Sequence, residues 1–114
     1  MTEAQLLHAL RLELGQLPHV TVWRNNVGVA KYPGRAAVPY GLCSGASDII
    51  GMRSLLIGPE HTGATIAQFV AVEVKTPIGR LTQEQKLFLA LVQKRGGLAL
   101  CARDIEEARK VLSE

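Results

Sequence analysis

Cysteine, aromatic residues and long apolar runs are all scarce in this 114-residue chain. Its two cysteines, Cys43 and Cys101, make no disulfide framework and point to a reducing, intracellular setting. His8, His19 and His61 are scattered without ligand spacing, which disfavours a structural zinc site. Five aromatics, one Trp, two Tyr and two Phe, are too few for a protein that binds single strands by stacking successive bases. The longest apolar runs, such as Ile66 to Val74, are broken by Gln68 and Glu73 and stop well short of the roughly 20 residues a membrane span needs. The opening Met-Thr-Glu-Ala-Gln has no basic stretch and does not read as a signal peptide. No Gly-Lys-Ser or Gly-Lys-Thr follows Gly41, Gly45 or Gly51, and no Gly-x-Gly-x-x-Gly follows a strand, so a nucleotide cofactor is disfavoured.

Acid is also scarce, but only locally. From Leu14 to Pro59 the single acidic residue is Asp48, against Arg24, Lys31, Arg35 and Arg53. The formal charge of +3, from 13 basic and 10 acidic residues, therefore averages over unlike segments. A basic stretch with Gly and Pro around one Asp suits a polyanion-binding surface with a cation site at its edge.

What is present is a hydrophobic fraction of 47% in a chain of single-domain length, enough for a continuous core across residues 1–114. Thr2 and Gln5 form a capping box, and Leu6, Leu7, Leu10 and Leu14 recur at helical spacing, which predicts a helix from residue 3 to about 15. A strand is expected over His19 to Arg24, a long loop over Lys31 to Gly45, and one bent strand or a split pair over Ser47–Gly51 and Arg53–Ile57. Ala64 to Thr76 predicts the longest strand, with Glu73 and Lys75 on one face and Val70, Val72 and Val74 on the other. Thr82 opens a helix that stops at Gly96-Gly97, Leu98 to Ala102 forms a short buried strand, and Asp104 caps a last helix. The order describes an α/β or α+β sandwich, a small mixed sheet flanked by helices, and α/β is the class expected.

Glu73-Val74-Lys75 sets two charges on one face of an otherwise apolar strand, about 6.6 Å apart along the backbone. Such a pair needs either each other or an outside partner. Asp48 opens another strand among glycines that allow close approach. If the two strands are neighbours, Asp48, Glu73 and the Val74 carbonyl supply oxygen ligands of the kind Mg²⁺ or Mn²⁺ takes. Lys75 would then orient the attacking water and stabilise charge on a phosphate. Glu3 continues the apolar stripe of the first helix and is expected to point inward, toward the metal. Gln85 aligns with Phe88, Leu89 and Val92, and Gln83 nearly as well with Leu87 and Leu91, so periodicity leaves both as candidates for an active-site amide.

Glu3 in a first helix, Trp-Arg-Asn-Asn-Val-Gly, Ser-Gly-Ala-Ser-Asp, Val-Glu-Val-Lys and Leu-Thr-Gln-Glu-Gln, in that order, resemble the virus-type replication-repair nuclease (VRR-NUC) domain of the PD-(D/E)XK nuclease superfamily. The resemblance implies a restriction-endonuclease-like fold with element order α-β-β-β-α-β-α and a metal-dependent phosphodiesterase. It also implies roles: Asp48 and Glu73 as ligands of Mg²⁺ or Mn²⁺, Lys75 as catalytic, and Glu3 and Gln85 as further active-site residues. Ala46-Ser47 stands before the acid where the superfamily name has Pro. Small stand-alone members resemble phage or bacterial enzymes that act as homodimers on branched DNA such as four-way junctions, where a symmetric pair supplies two sites. Arg24, Asn25, Asn26, Lys31, Tyr32 and Arg35 are the candidate DNA contacts, being donors to phosphate. The alternative is a non-catalytic DNA-binding or assembly module on the same fold.

Overall fold

A computed structural model describes residues 2–113. Its elements run α1 (Glu3–Gly15), β1 (Val20–Arg24), β2 (Gly28–Ala30), β3 (Val38–Tyr40), β4 (Ile49–Arg53), β5 (Val70–Val74), α2 (Gln83–Arg95), β6 (Leu98–Ala102) and α3 (Ile105–Leu112), with a 3-10 turn at Pro59–His61. They belong to two compact units, Met1–Arg53 and Ser54–Glu114. No helix among the described residues is long and apolar enough to cross a membrane.

In the first unit, α1 starts on the expected capping box. Thr2 Oγ1 accepts from Gln5 N at 3.1 Å, and Gln5 Oε1 accepts from Thr2 N at 2.8 Å, so two donors orphaned by the helix end are satisfied. The helix packs on β1 with Leu7 and Leu14 among its less exposed positions. His19, at φ 64°, lies outside β1, which therefore starts one residue later than expected. β1 pairs antiparallel with β4 in a register that sets Arg24 opposite Ile49 and Trp23 opposite Ile50. The expected 31–45 loop instead contains half of a hairpin, because β2 pairs antiparallel with β3, Gly28 opposite Tyr40. Its turn is Tyr32-Pro33-Gly34-Arg35, where Arg35 N donates to Tyr32 O at 3.3 Å and Gly34 takes φ 71°. Pro followed by a left-handed Gly is the chemistry of a type II turn.

The second unit is a βαβ arrangement. β5 and β6 run parallel, Glu73 opposite Cys101, and α2 is the crossover that parallel pairing requires. Thr82 and Gln85 form the second capping box, and Gly96 ends α2 at φ 97°, a left-handed cap that costs glycine little. Val92, fully buried, centres the packing with Ala99 and Ala102. α3 begins where Asp104 Oδ1 accepts from Glu107 N at 2.8 Å.

The expected Ala64–Thr76 strand contracts to Val70–Val74, because its partner β6 is only five residues long. Arg53–Ile57 does not continue as a strand beyond Arg53. The α/β character holds, with three helices and small sheets. Two added strands lengthen the run before α2, and the strands pair as three two-stranded sheets where one mixed sheet was expected.

Candidate active site

Glu73 and Lys75 lie on the same side of β5, as strand alternation requires. Lys75 Nζ is 3.8 Å from Glu73 Oε1, and both side chains are largely shielded, at 21% and 32% exposure. Gln85 Nε2 donates to the same Oε1 at 2.8 Å. The Gln85 carboxamide is doubly used, since its Oε1 accepts from Thr82 N at 2.9 Å as part of the helix cap. One amide thus ties the start of α2 to the carboxylate of β5. Gln83, the competitor by periodicity, is exposed.

The backbone of this region is fixed as well. Lys75 N donates to Ala102 O at 3.1 Å, and Phe69 O accepts from Leu98 N at 2.8 Å. Odd-numbered residues of β5 therefore spend their backbone groups on β6, and by alternation the Val74 carbonyl points away from that strand. Val74 is exposed, so the carbonyl expected as a ligand is not consumed within the β5–β6 ladder. The valines of β5 form the more open face. Val72, Val74, Ala102, Ile105 and Leu112 line an apolar groove of about 430 Å³ beside α3.

Asp48 sits in the first unit, one residue before β4. Arg24 Nη1 lies 3.6 Å from Asp48 Oδ1 and makes a long 3.5 Å contact with Asp48 O. The Asp48 side chain is 65% exposed, so solvent weakens this pair and leaves the carboxylate open to other partners. Asn25, expected as a phosphate donor, departs from that reading. It is buried, its Nδ2 donates to Ser47 O at 3.0 Å, and its Oδ1 accepts from Leu42 N at 3.1 Å. With Asn25 N also donating to Asp48 O at 2.8 Å, the residue holds the turn that carries Asp48, and its burial keeps its amide off the surface. Asn26, Lys31, Tyr32 and Arg35 are exposed.

Glu3 also departs from its expected orientation. It is exposed in the first turn of α1, where its charge favours the positive end of the helix. Arg103 was not anticipated. Its Nη1 donates to Thr76 O at 2.6 Å and Gly79 O at 2.7 Å, clamping the turn that follows Lys75. No motif marks Arg103; its place just after the last strand of a βαβ unit is the one available signal.

Among the described residues, no group of three or more His, Cys, Asp or Glu side chains is assembled into an all-protein metal cage. The Glu73 carboxylate is met by an amide and an ammonium, with no thiolate or imidazole among its hydrogen-bond and ion-pair partners in the described residues. This chemistry fits a hard cation of the Mg²⁺ type, which takes one or two carboxylates and leaves its other positions to water and phosphate, and does not fit zinc.

The VRR-NUC domain family matches residues 6–103, a stretch that includes Asp48, Glu73, Lys75 and Gln85 and leaves Glu3 outside. No curated protein and no solved structure matches the chain. A match over most of the sequence, with the Glu-x-Lys strand and its glutamine inside it, means that the chain belongs to the VRR-NUC family and carries a nuclease domain.

Proposed function

We propose that the protein is a Mg²⁺- or Mn²⁺-dependent, structure-selective endonuclease that hydrolyses phosphodiester bonds of branched DNA, four-way junctions included, and acts as a homodimer. The observation that carries the catalytic part is the Glu73 carboxylate, whose Oε1 accepts from the Gln85 amide and has the Lys75 ammonium 3.8 Å away. A carboxylate held this way has its orientation chosen before any ligand arrives.

In this reading Asp48, Glu73 and the Val74 carbonyl would hold the cation when it is bound. The ion supplies charge neutralisation and Lewis acidity at the phosphate. Lys75, with three N–H donors, hydrogen-bonds a phosphate oxygen and stabilises the negative charge that builds there as water adds at phosphorus. The attacking water gives up a proton to solvent as its oxygen bonds to phosphorus, the bond to the leaving strand's oxygen breaks, and that oxygen takes a proton from solvent, so the step balances. Gln85 keeps the Glu73 carboxylate from rotating toward Lys75 alone.

The exposed Gly28–Tyr40 hairpin supports a DNA surface. Lys31, Tyr32 and Arg35 are exposed around its turn, and donors of this kind hold phosphates without reading sequence. A two-stranded ribbon is also of a size that a DNA groove admits. Cutting both strands of a junction needs two sites, which a symmetric pair of chains provides.

The test is a cleavage panel of a four-way junction, a 5′ flap, a 3′ flap and linear duplex, each with Mg²⁺, with Mn²⁺ and with chelator. Metal-dependent cutting of a branched substrate in preference to linear duplex is expected. Equal cutting of all four would remove the structural selectivity, and undiminished cutting in chelator would remove the metal.

A further inference from the structure

Resting on the nuclease reading, we infer that Ile78 is an apolar wedge that packs against a base pair bordering a branch in the DNA, held beside Lys75 by Arg103. Ile78 is 91% exposed. A single exposed aliphatic residue is ordinary, so exposure alone decides nothing. What sets Ile78 apart is how rigidly it is presented and where.

The turn Thr76-Pro77-Ile78-Gly79 has Pro77 and Ile78 at its tip. Gly79 N donates to both Thr76 O and Thr76 Oγ1 at 3.1 Å. Arg103 Nη1 then donates to Thr76 O and to Gly79 O, gripping both ends of the turn. Arg103 is itself anchored: its N donates to Glu107 Oε2 at 3.0 Å, next to the Asp104 cap of α3. An exposed turn would normally be mobile, and here an arginine is spent on holding it.

The turn also lies against the Glu-x-Lys strand end. A methyl group placed on Gly79 would sit 3.5 Å from Lys75 Cδ. Arg80 follows Ile78 by two residues and is exposed. An aliphatic tip flanked by Lys75, Arg80 and Arg103 matches a DNA surface, where cations take the phosphates and an apolar side chain inserts between base steps. Base pairs at a branch stack across a strand exchange and not along two continuous strands, so they are the ones such a tip unstacks at least cost.

The test uses the full chain with a four-way junction carrying 2-aminopurine at the branch-point base. Binding by the parent should raise its fluorescence. Ile78→Ala should abolish most of that rise and lower kcat/KM on the junction by about tenfold, with linear-duplex cutting and thermal midpoint unchanged; Ile78→Leu should restore both. An unchanged fluorescence rise in Ile78→Ala, with the parent active, overturns the wedge and leaves the nuclease reading standing. A parent that neither binds nor cuts any branched or linear substrate overturns both. A shift in sedimentation coefficient in Ile78→Ala, with its cleavage defect removed at high protein concentration, makes Ile78 a protein contact and overturns the wedge.

Discussion

Gln85 Nε2 donates to Glu73 Oε1 at 2.8 Å while Gln85 Oε1 accepts from the Thr82 backbone, so one side chain caps α2 and orients the carboxylate of β5. The two roles separate by substitution. Gln85→Glu retains an N3 acceptor for the cap but replaces the donor facing Glu73 with a second negative charge. Gln85→Ala loses both. Cleavage should fall by about 10–100-fold in each variant, the range typical when a partner that orients a metal ligand is removed. In single-turnover assays run alongside thermal melts, only Gln85→Ala should also lose the stabilisation of the capping box. Parent-like rates in both would deny Gln85 any positioning role.

The Lys75–Glu73 pair separates chemistry from stability in a second way. At 3.8 Å the two charges are beyond hydrogen-bonding distance, and Glu73 keeps its bond to Gln85 without Lys75, so the pair contributes little to folding, about 0–1 kcal/mol. On the proposed mechanism the same ammonium would contribute about 10²–10³ in rate by stabilising charge in the transition state. Lys75→Met should therefore reduce single-turnover cleavage by that factor with a melting curve close to the parent's. Asp48→Ala and Glu73→Ala should lose cleavage too, and raising Mn²⁺ should recover part of the loss when one ligand is missing. Chelator should stop the parent, and added Mg²⁺ or Mn²⁺ should restart it.

Asn25 and Arg24 are neighbours in sequence with opposite expected phenotypes. Asn25 is buried with both ends of its carboxamide engaged, so Asn25→Ala leaves Leu42 N and Ser47 O without their partner and should cost about 1–3 kcal/mol. Arg24→Ala removes only an exposed pair with Asp48 and should leave the denaturant midpoint near the parent's. Equal midpoints for the two variants would show that Asn25 does not hold the Asp48 turn.

The contrast between Arg24 and Asn25 marks where sequence reasoning runs out. Both are polar residues at the end of β1, and local pattern does not distinguish a side chain in an exposed pair with Asp48 from one folded back on Ser47 and Leu42, a separation of up to 22 residues. Features closed within four residues were legible: both capping boxes, the Gly96 stop and the Asp104 cap all rest on local hydrogen bonds. The shared face of Glu73 and Lys75 was legible for the same reason, being a property of one strand. Strand lengths were not, because the alternation runs on through 64–69 while the ladder with β6 covers only the five residues Val70–Val74. The β2–β3 hairpin escaped because three-residue strands carry no period; Pro33-Gly34 was the available cue. Glu3 lies on the Leu6–Leu14 side by angle, yet the first turn of α1 lies open and the acid stays in solvent.

That hairpin gives the last prediction. Lys31 and Arg35 flank a turn in which residues 31–40 are all exposed, so neither side chain contributes to a core. If they neutralise phosphates, each Lys or Arg removed should lower the magnitude of the slope of log K against log salt by about 0.9. Lys31→Ala combined with Arg35→Ala should therefore weaken binding to four-way junction and linear duplex alike, most strongly at low salt, with kcat on bound junction preserved. Binding measured by fluorescence anisotropy across a salt series distinguishes this from a folding defect, which would lower the active fraction without changing the slope. A double variant with the parent's slope would take the hairpin off the DNA surface and leave the Glu73 site to be reached by another path.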